Sequence, residues 1–505
     1  MEKLIGVDFG TGGCKTTVID PEGNICASAF LEYPSEHKKP GWSEQNPQHW
    51  LDAFVETVKL CGQQMEDGYV GTRGLAVTAS THNAVLLDKN GEVIRPVIMW
   101  NDQRSGDQCR RLKEQYGDRI FRIGMQMPTP TWTLPQLMWL KENEPDNYAK
   151  IDRLMFTKDY VRSWITGDFC TDIVDAQGSL LFDAKKNCWS KELCDMISLP
   201  LETLPEIRKT KDVVGTVRKE ISYLTGLPEG LAVIAGCSDT AAEDFSAGAV
   251  RDGQIIVKLA TAGNVNMVTS QASPDEKAFT YPYSVEGKWY IVTATNSCAS
   301  AYRWMRDTFY PEEWKLCEKE GKDIYVLMDE QAASASLGCQ GLIFHPYLLG
   351  ERCPYFNPEA RGDFIGISMV HQKGDFARAL LEGVAFSLYD CLQVLKGFTD
   401  NLEDIVIIGG GAKSPLWCQI VSDVFGLKVK LPDHAESSYG GALLAGVGVG
   451  VFKDEYEAAE KCICMKKIYE PDMEHHEQYM KIFAIYKKAV DFSEPLWKEI
   501  AKLQN

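Results

Sequence analysis

The sequence predicts an α/β protein made of two similar domains that meet near residue 250. Short apolar runs alternate with longer segments of helical periodicity, which is typical of strands and helices that follow one another along a chain. A strand, a turn rich in threonine and glycine, and a returning strand occur at the start of the chain and again after residue 250. The 505 residues also suit several domains of about 100–200 residues each. We therefore expect domains over residues 1–248 and 249–505, with a ligand site in the cleft between them.

The elements of the first half follow from their apolar patterns. Apolar runs predict strands over residues 4–9, 15–19, 25–31, 74–80 and 232–236. Apolar residues at helical spacing predict a helix over about residues 47–65. Residues 105–195 are more polar and follow a mostly helical pattern.

The second half repeats the opening pattern. Residues 255–263 can be laid on residues 5–13 with an offset of 250. A predicted strand over residues 404–408 then leads into a glycine cluster and a helix. Strand-turn-strand units are common, so chance is the alternative to a duplication. The equal lengths of the two halves favour the duplication.

Composition and charge exclude several classes of protein. With 45% apolar and 25% charged residues the chain has the composition of a globular protein. Its net charge of −18, with no block rich in Lys or Arg, argues against nucleic acid or an anionic membrane as a partner. We expect no membrane span, since no apolar run reaches about 18–20 residues. The start of the chain lacks a signal-peptide pattern, and the 16 cysteines show neither Cys-x-x-Cys nor zinc spacing, so we expect reduced thiols in a cytoplasmic protein.

The first glycine turn follows the first predicted strand. Asp8 ends that strand, and Gly10-Thr11-Gly12-Gly13 comes directly after it. Backbone N–H groups of such a turn can hold an anion, to which Thr11 adds a hydroxyl donor and Lys15 a charge. Asp8 is badly placed against bare phosphate but suits Mg²⁺ or its waters. A hairpin turn that merely needs glycine is the alternative.

Two further turns are candidates for a phosphate or a flat ligand. Thr261-Ala262-Gly263 is the counterpart of the first turn in the second half and could hold another phosphate. The cluster at residues 409–414 (GGGAKS) lies between a predicted strand and a helix, where a ligand can approach the backbone. It departs from the dinucleotide pattern Gly-x-Gly-x-x-Gly, so NAD is not predicted.

The candidate base and further polar ligand contacts lie at strand ends in the first half. Asp239 follows a buried strand and precedes a helix of small residues, where a helix N-cap is the alternative role. His82 and Asn83 follow the strand over residues 74–80, at the end of a strand where ligands of α/β proteins bind. Residues 100–104 (WNDQR) combine an aromatic ring, a carboxylate and a guanidinium group, which suits a polyhydroxylated ligand; the start of a surface helix is the alternative.

Seven pieces in this order resemble the FGGY carbohydrate kinases, and most closely the members that phosphorylate D-xylulose. The similarity runs from residue 3 to about residue 450. The pieces are residues 8–11 (DFGT), 41–47 (GWSEQNP), 100–104 (WNDQR), 158–160 (KDY), 236–239 (GCSD), 346–352 (PYLLGER) and 409–414 (GGGAKS). Each is modest alone, but the ordered set is specific.

This resemblance implies two ribonuclease-H-like (actin-like ATPase) domains that close on ATP, Mg²⁺ and a sugar. It implies transfer of the γ-phosphoryl group to a sugar hydroxyl, with D-xylulose giving D-xylulose 5-phosphate as the first expectation. The implied roles are Asp239 as catalytic base and Asp8 as the residue on the metal side. The implied ATP contacts are Thr11, Gly12, Gly13, Lys15, Thr261, Ala262, Gly263, Gly410, Gly411, Ala412 and Ser414. The implied sugar contacts are Thr81, His82, Asn83, Trp100, Asp102, Asp239 and Thr240.

The chain departs from the pattern of these relatives around the sugar. Ser80-Thr81-His82-Asn83 stands where they usually have Gln-Met-His-Gly, and Ser238-Asp239-Thr240 where they have Gly-Asp-Asn. Another ketose, a polyol or a sugar acid therefore stays an alternative substrate. A non-catalytic actin-like ATP-binding sugar sensor is the alternative from another class. The sequence does not fix the oligomeric state, and a homodimer is one assembly that it allows.

Overall fold

The computed structural model of the chain describes residues 1–399 and 402–504. The strands are β1 (Lys3–Phe9), β2 (Gly13–Ile19), β3 (Ile25–Glu32), β4 (Glu44–Gln45), β5 (Thr72–Ala79), β6 (Ala84–Leu87), β7 (Val97–Ile98), β8 (Arg153–Phe156), β9 (Cys170–Asp172), β10 (Phe182–Asp183), β11 (Cys188–Trp189), β12 (Glu206–Arg208), β13 (Val213–Thr216), β14 (Ala232–Ile234), β15 (Cys237–Ser238), β16 (Ile255–Leu259), β17 (Gly263–Thr269), β18 (Phe279–Pro282), β19 (Trp289–Thr295), β20 (Ile343–His345), β21 (Asp363–Ile365), β22 (Ile405–Ile408), β23 (Val429–Pro432) and β24 (Met465–Tyr469). The α-helices are α1 (Pro47–Gln64), α2 (Gly106–Gly124), α3 (Thr133–Asn143), α4 (Pro145–Tyr148), α5 (Thr157–Thr166), α6 (Ile173–Gly178), α7 (Lys191–Ile197), α8 (Lys219–Thr225), α9 (Asp239–Ser246), α10 (Ala299–Phe309), α11 (Pro311–Glu320), α12 (Ile324–Ser334), α13 (Lys373–Leu395), α14 (Pro415–Phe425), α15 (Ser437–Gly448), α16 (Glu455–Cys462) and α17 (Met473–Gln504).

The first large sheet is built from the predicted strands of the first half. Its strand order is β13-β14-β5-β1-β2-β3, and β15 also pairs with β5. β1, β2 and β3 are antiparallel neighbours, whereas β5 runs parallel to β1, and β14 and β15 run parallel to β5. The carboxyl ends of β1, β5 and β15 therefore lie at one edge of the sheet.

The second large sheet has the same topology. Its order is β18-β19-β17-β16-β22-β23-β24, with β16, β17 and β19 antiparallel and with β22 and β23 parallel to β16. This repeat confirms the predicted duplication. The second hairpin turn is one residue shorter, because Phe9 pairs with Cys14 whereas Leu259 pairs with Gly263.

Two helices from different halves pack between the large sheets. α15 lies on β1 and β5 although it belongs to the second half of the chain, and it also packs against α9. A Cβ atom at Gly6 would overlap the carbonyl oxygen of Ser438, and one at Gly440 would overlap that of Ala242. Glycine at these positions lets the helix backbone approach the sheet and α9 closely. Because α15 crosses to the first sheet, the division at residue 248 stays a prediction.

The cysteines behave as the sequence predicts. All 16 are unpaired and 13 of them are buried, so most serve as small apolar residues of the core. Among the described residues, no helix is long and apolar enough to cross a membrane.

Candidate active site

The carboxyl edge of the first sheet brings two predicted acids together. Asp8 is opposite Thr78 in the β1–β5 pair, and Thr78 is opposite Cys237 in the β5–β15 pair. Asp239 begins α9 directly after β15. Thr78 Oγ1 donates to Asp8 Oδ1 at 2.8 Å. One strand therefore separates the acid predicted for the metal from the predicted base.

Asp239 is not the N-cap of α9. That role belongs to Ser238, whose Oγ accepts a hydrogen bond from the backbone N–H of Ala241 at 3.2 Å. Asp239 Oδ1 accepts from the backbone N–H of Thr240 at 2.6 Å and from Thr240 Oγ1 at 3.2 Å. Asp239 Oδ2 has no hydrogen-bond partner among the described residues. The capping alternative is thus excluded, and one carboxylate oxygen is available to a ligand.

Burial sets the electrostatics of these acids. Burial, and then repulsion from Asp239, raises the pKa of Asp8 to about 8. Burial also raises the pKa of Asp239, and the ammonium group of Lys258 and the Thr240 donors oppose that rise only in part. Lys258 reaches this cluster from β16 and forms an ion pair with Glu243 of α9. The site thus concentrates buried carboxylates around one lysine.

The first glycine turn combines open space with close packing. A Cβ atom at Gly12 would meet no atom within 4 Å, whereas one at Gly13 would lie 2.6 Å from the Leu31 carbonyl oxygen. Gly12 therefore leaves room for a ligand, and Gly13 is required by the fold. Lys15 is in an ion pair with Glu436, just before α15.

The second turn and the glycine cluster are neighbours at the edge of the second sheet. Their strands β16 and β22 are parallel and paired, and a Cβ atom at Gly409 would lie 2.7 Å from the Leu259 carbonyl oxygen. Gly409 also has a φ of 90°, which favours glycine. In the turn itself Thr261 is exposed, Ala262 is half-buried and Gly263 is buried.

Within the glycine cluster only Gly410 opens onto free space. A Cβ atom at Gly410 would meet nothing within 4 Å, but one at Gly411 would lie 2.7 Å from the Leu259 side chain and 2.8 Å from the Trp417 ring. Ala412 is buried, and Ser414 Oγ caps α14 by accepting from the Trp417 N–H at 3.1 Å. Gly411, Ala412 and Ser414 thus also have roles in internal packing and capping, and their predicted contact with ATP stays a prediction.

Trp100 joins the predicted sugar cluster to the first glycine turn. Its indole Nε1 donates to Thr11 Oγ1 at 2.8 Å, and the residue is 41% exposed. Asn83 Oδ1 accepts from the Trp100 backbone N–H at 2.6 Å, while Asn83 Nδ2 donates to the Ser80 carbonyl oxygen at 2.9 Å. Asn83 is buried and holds the Trp100 backbone, and its predicted contact with a sugar stays a prediction.

Both carboxylate oxygens of Asp102 likewise accept hydrogen bonds from other residues of the protein. Its Oδ2 accepts from the Ser43 backbone N–H at 2.6 Å, and both of its oxygens accept from the guanidinium group of Arg104 at 2.7 and 2.9 Å. The Arg104 guanidinium group lies over the Trp42 ring, 3.7 Å from its centroid, and Arg104 Nη1 forms an ion pair with Glu44 Oε1 at 2.8 Å. This buried network holds the loop that carries Trp100, and the predicted contact of Asp102 with a sugar stays a prediction.

His82 is a neutral, stacked histidine. Its ring lies on Trp132 at 4.5 Å with an interplanar angle of 8°, and burial lowers its pKa to about 3. Its Nδ1 is buried without a hydrogen-bond partner among the described residues. Thr81 and Thr240 are half-buried at the neighbouring strand ends. His82 can therefore accept or donate one hydrogen bond to a ligand but carries no charge.

Sequence reasoning missed several residues that join the two halves. Trp132 stacks on Tyr281 of β18 at 6.0 Å, and Ser437 Oγ donates to the Asp239 carbonyl oxygen at 3.0 Å. Lys258 and Glu243 were also overlooked. A lysine inside an otherwise apolar strand, and a glutamate four residues after Asp239, were the signals that could have found that pair.

The architecture and this site define a class. Two sheets of one topology, each with a turn at the end of its first hairpin, face each other across α9 and α15, which is the organisation of the actin-like ATPases. The first half matches the family model for the FGGY family of carbohydrate kinases, N-terminal domain, over residues 3–246, and the second half matches the C-terminal domain model over residues 257–449. The chain therefore belongs to the FGGY carbohydrate kinases, which confirms the predicted family and implies ATP as the co-substrate.

Individual relatives agree with this assignment over nearly the whole chain. The xylulose kinase of Staphylococcus epidermidis is 32% identical over 507 residues, which cover 100% of this chain and 99% of that protein. The gluconokinase of Bacillus subtilis is 26% identical over 504 residues, with 99% and 98% coverage. The crystal structure of xylulose kinase from Rhodospirillum rubrum superposes with a TM-score of 0.91 at 26% identity, covering 98% of this chain and 100% of that one.

Proposed function

We propose that this carbohydrate kinase phosphorylates D-xylulose to D-xylulose 5-phosphate, with Asp239 as the catalytic base. The observation that carries the proposal is the half-buried carboxylate of Asp239, which caps no helix and keeps Oδ2 available. Full-length similarity to proteins named xylulose kinase supports the choice of sugar.

Phosphoryl transfer needs positioning and charge neutralisation more than covalent help from the protein. In the proposed step the sugar hydroxyl oxygen forms a bond to the γ-phosphorus, and the bond from that phosphorus to the β,γ-bridging oxygen breaks. ADP leaves with the electron pair of that bond, and the hydroxyl proton passes to Asp239 Oδ2. A positioned base of this kind contributes typically ~10²–10⁴-fold to the rate.

Asp8 fits the role of a magnesium-binding residue. Mg²⁺ prefers oxygen ligands and is often held by one or two carboxylates with waters and phosphates. Asp8 supplies such a carboxylate at the strand end. Burial first, and repulsion from Asp239 second, raise its pKa, and a divalent cation beside it would favour the charged form. When bound, Mg²⁺ would neutralise charge on the phosphate chain.

The nucleotide is proposed to lie on the turns of both sheets. Gly12 and Gly410 present backbone with open space beside it, and Thr261 is exposed in the turn after β16, the strand that pairs with β22. Lys15 would have to leave Glu436 to reach a phosphate, which makes this ion pair a competitor of the nucleotide. The 16 unpaired cysteines support placing this activity in the cytoplasm.

The sugar is proposed to lie beside Trp100, His82, Thr81 and Thr240, next to Asp239. The half-exposed indole offers an apolar surface for a sugar face, and His82 Nδ1 offers an unmatched buried hydrogen-bonding atom. An unmatched polar atom costs about 1–3 kcal/mol, so a sugar hydroxyl that reaches it would be preferred strongly over one that does not.

A panel of sugars tests the proposal. ADP release is measured by a coupled assay at saturating ATP with pentuloses, hexuloses, polyols and aldonates. We expect the highest kcat/KM with D-xylulose. A tenfold higher value for another compound would reject D-xylulose but keep the kinase, and an aldonate in that place would agree with the similarity to gluconokinase. If no compound stimulates ADP release, the chain is a non-catalytic ATP-binding sensor.

A further inference from the structure

Lys258 stands where the two halves of the protein face each other. It lies on β16, just before the turn at residues 260–262. In the parallel pair of β16 and β22 it is opposite Ile408, the last residue before the glycine cluster. Its neighbours Val257 and Leu259 are fully buried in the core of the second half, whereas the Lys258 side chain is 28% exposed. The lysine therefore projects from the other face of the sheet, between two turns proposed to bind ATP.

Glu243 holds this lysine across the boundary between the halves. Lys258 Nζ forms an ion pair with Glu243 Oε2, and Glu243 lies on α9. Glu243 comes four residues after Asp239, so both carboxylates lie on one face of that helix. The ammonium group is thereby held beside the first turn of α9, on the face that carries the proposed base.

Lys258 acts on the whole carboxylate cluster and not only on Glu243. Burial raises the pKa values of Asp239, Glu243, Asp244 and Asp8, and Lys258 opposes each of these rises. Burial lowers the pKa of Lys258 itself, but Glu243, Asp239 and Asp244 together outweigh this effect, and the net pKa lies above its ordinary value. The lysine is therefore a permanent cation, in a place that an anionic phosphate would otherwise avoid because like charges repel.

We propose that Lys258 is a further catalytic residue, whose ammonium group donates to an oxygen of the γ-phosphoryl group, and that Glu243 is the positioning residue that aims it. The inference rests on the proposed function, since it needs the γ-phosphoryl group to lie between Asp239 and the second turn. No bond to Lys258 forms or breaks. Its charge offsets the negative charge on the phosphoryl oxygens while the group passes to the sugar.

Nucleotide affinities distinguish this catalytic role of Lys258 from a purely structural role as an ion pair between the two halves. The affinities for β,γ-imido-ATP and for ADP are measured by calorimetry with Mg²⁺, for the wild type and Lys258→Met. A charge-assisted hydrogen bond to the γ-phosphoryl group predicts a loss of roughly 10- to 100-fold for the ATP analogue, and a clearly smaller loss for ADP. Turnover should fall by at least the same factor, and Lys258→Arg should restore part of both.

The second variant is Glu243→Gln, which keeps a hydrogen-bond acceptor for Lys258 but removes the charge. We expect a smaller loss of affinity for the ATP analogue than in Lys258→Met, and no further loss when the two changes are combined, because Glu243 acts through Lys258. If Lys258→Met does not fold, the comparison of ATP analogue and ADP is made on Glu243→Gln and Lys258→Arg.

Lys430→Met is the matched control. Lys430 is also a partly exposed lysine on a strand of the second sheet, paired with Asp404, but that pair lies at the amino end of the parallel strands. We expect its nucleotide affinities and turnover to match the wild type. Equal losses for the ATP analogue and ADP, or unchanged affinities with a lower Tm, would overturn the catalytic role of Lys258. Absence of sugar-stimulated turnover in the wild type and Lys430→Met would instead reject the proposed function.

Discussion

Replacing Asp239 by Asn tests the proposed base while leaving the helix that carries it intact. An amide keeps Oδ1 as the acceptor of the Thr240 N–H and hydroxyl, and Ser238 still caps α9. The change removes only the proton acceptor at Oδ2. A lost general base costs about 10²–10⁴-fold in rate, which corresponds to about 3–5 kcal/mol in the barrier.

The assay is sugar-stimulated ADP release at saturating ATP and sugar, accompanied by calorimetry of nucleotide binding. We expect turnover to fall at least about 100-fold, with nucleotide affinity and Tm close to those of the wild type. We expect no loss of stability from removing the negative charge of Asp239, because burial raises the pKa of this carboxyl and so disfavours its charged form.

Ser238→Ala is the matched control, because it alters the neighbouring residue and the helix rather than the chemistry. Losing an N-cap costs about 0.5–2 kcal/mol, which lowers Tm by a few degrees in a domain of this size. Turnover should stay within a few-fold of the wild type. An Asp239→Asn variant that keeps more than about a tenth of wild-type turnover would refute the reasoning.

Three further predictions follow from the geometry. Gly410→Val should weaken ATP binding in a folded protein, because the valine side chain fills the open space proposed for the nucleotide, whereas Gly411→Val should lower Tm because its side chain clashes with Leu259 and Trp417. Calorimetry and thermal unfolding distinguish the two variants. Equal behaviour of both would contradict the packing described for this cluster. In a pH–rate profile the acid limb of kcat/KM should lie above the ordinary carboxylate range near 4, because the base must be deprotonated and the pKa of Asp239 is raised. The limb should not move in His82→Gln, because His82 with a pKa of about 3 is neutral throughout the assay range. If the limb moves in that variant, it belongs to His82. Asp8→Asn should raise the Mg²⁺ concentration for half-maximal activity by about tenfold or more, as measured by Mg²⁺ titration with ADP binding as a second readout. If that concentration does not change, Asp8 is not a metal-binding residue.

The periodic parts of the fold were predictable from the sequence. The predicted strand over residues 4–9 is Lys3–Phe9, and the predicted helix over residues 47–65 is Pro47–Gln64. These elements have strong apolar periodicity, so local pattern and burial agree. The repeat of the hairpin was also visible, although its shorter second turn was not, because the offset of 250 assumed equal turns.

The roles of single polar residues were harder to predict. Asp102, Asn83 and Asp239 all stand in polar motifs near strand ends. Asp102 and Asn83 make hydrogen bonds with Ser43, Arg104 and Trp100, whereas Asp239 keeps one carboxylate oxygen without a partner among the described residues. Those partners lie on other loops, and a motif does not record which hydrogen bonds are already satisfied. The same holds for Gly411, where the packing of Trp417 and Leu259 already requires glycine whether or not a ligand approaches it.

The sequence by itself determined the α/β class, the repeated hairpin and the family, and it placed the proposed base Asp239 just after a buried strand, because each of these follows from local spacing or from an ordered set of motifs. Only the tertiary structure decided that Ser238, and not Asp239, caps α9, and that Lys258 reaches across to Glu243. The physical reason is that hydrogen-bond satisfaction, burial and ion pairing join residues that are distant in the chain, and α15 places the two halves so that such pairs form.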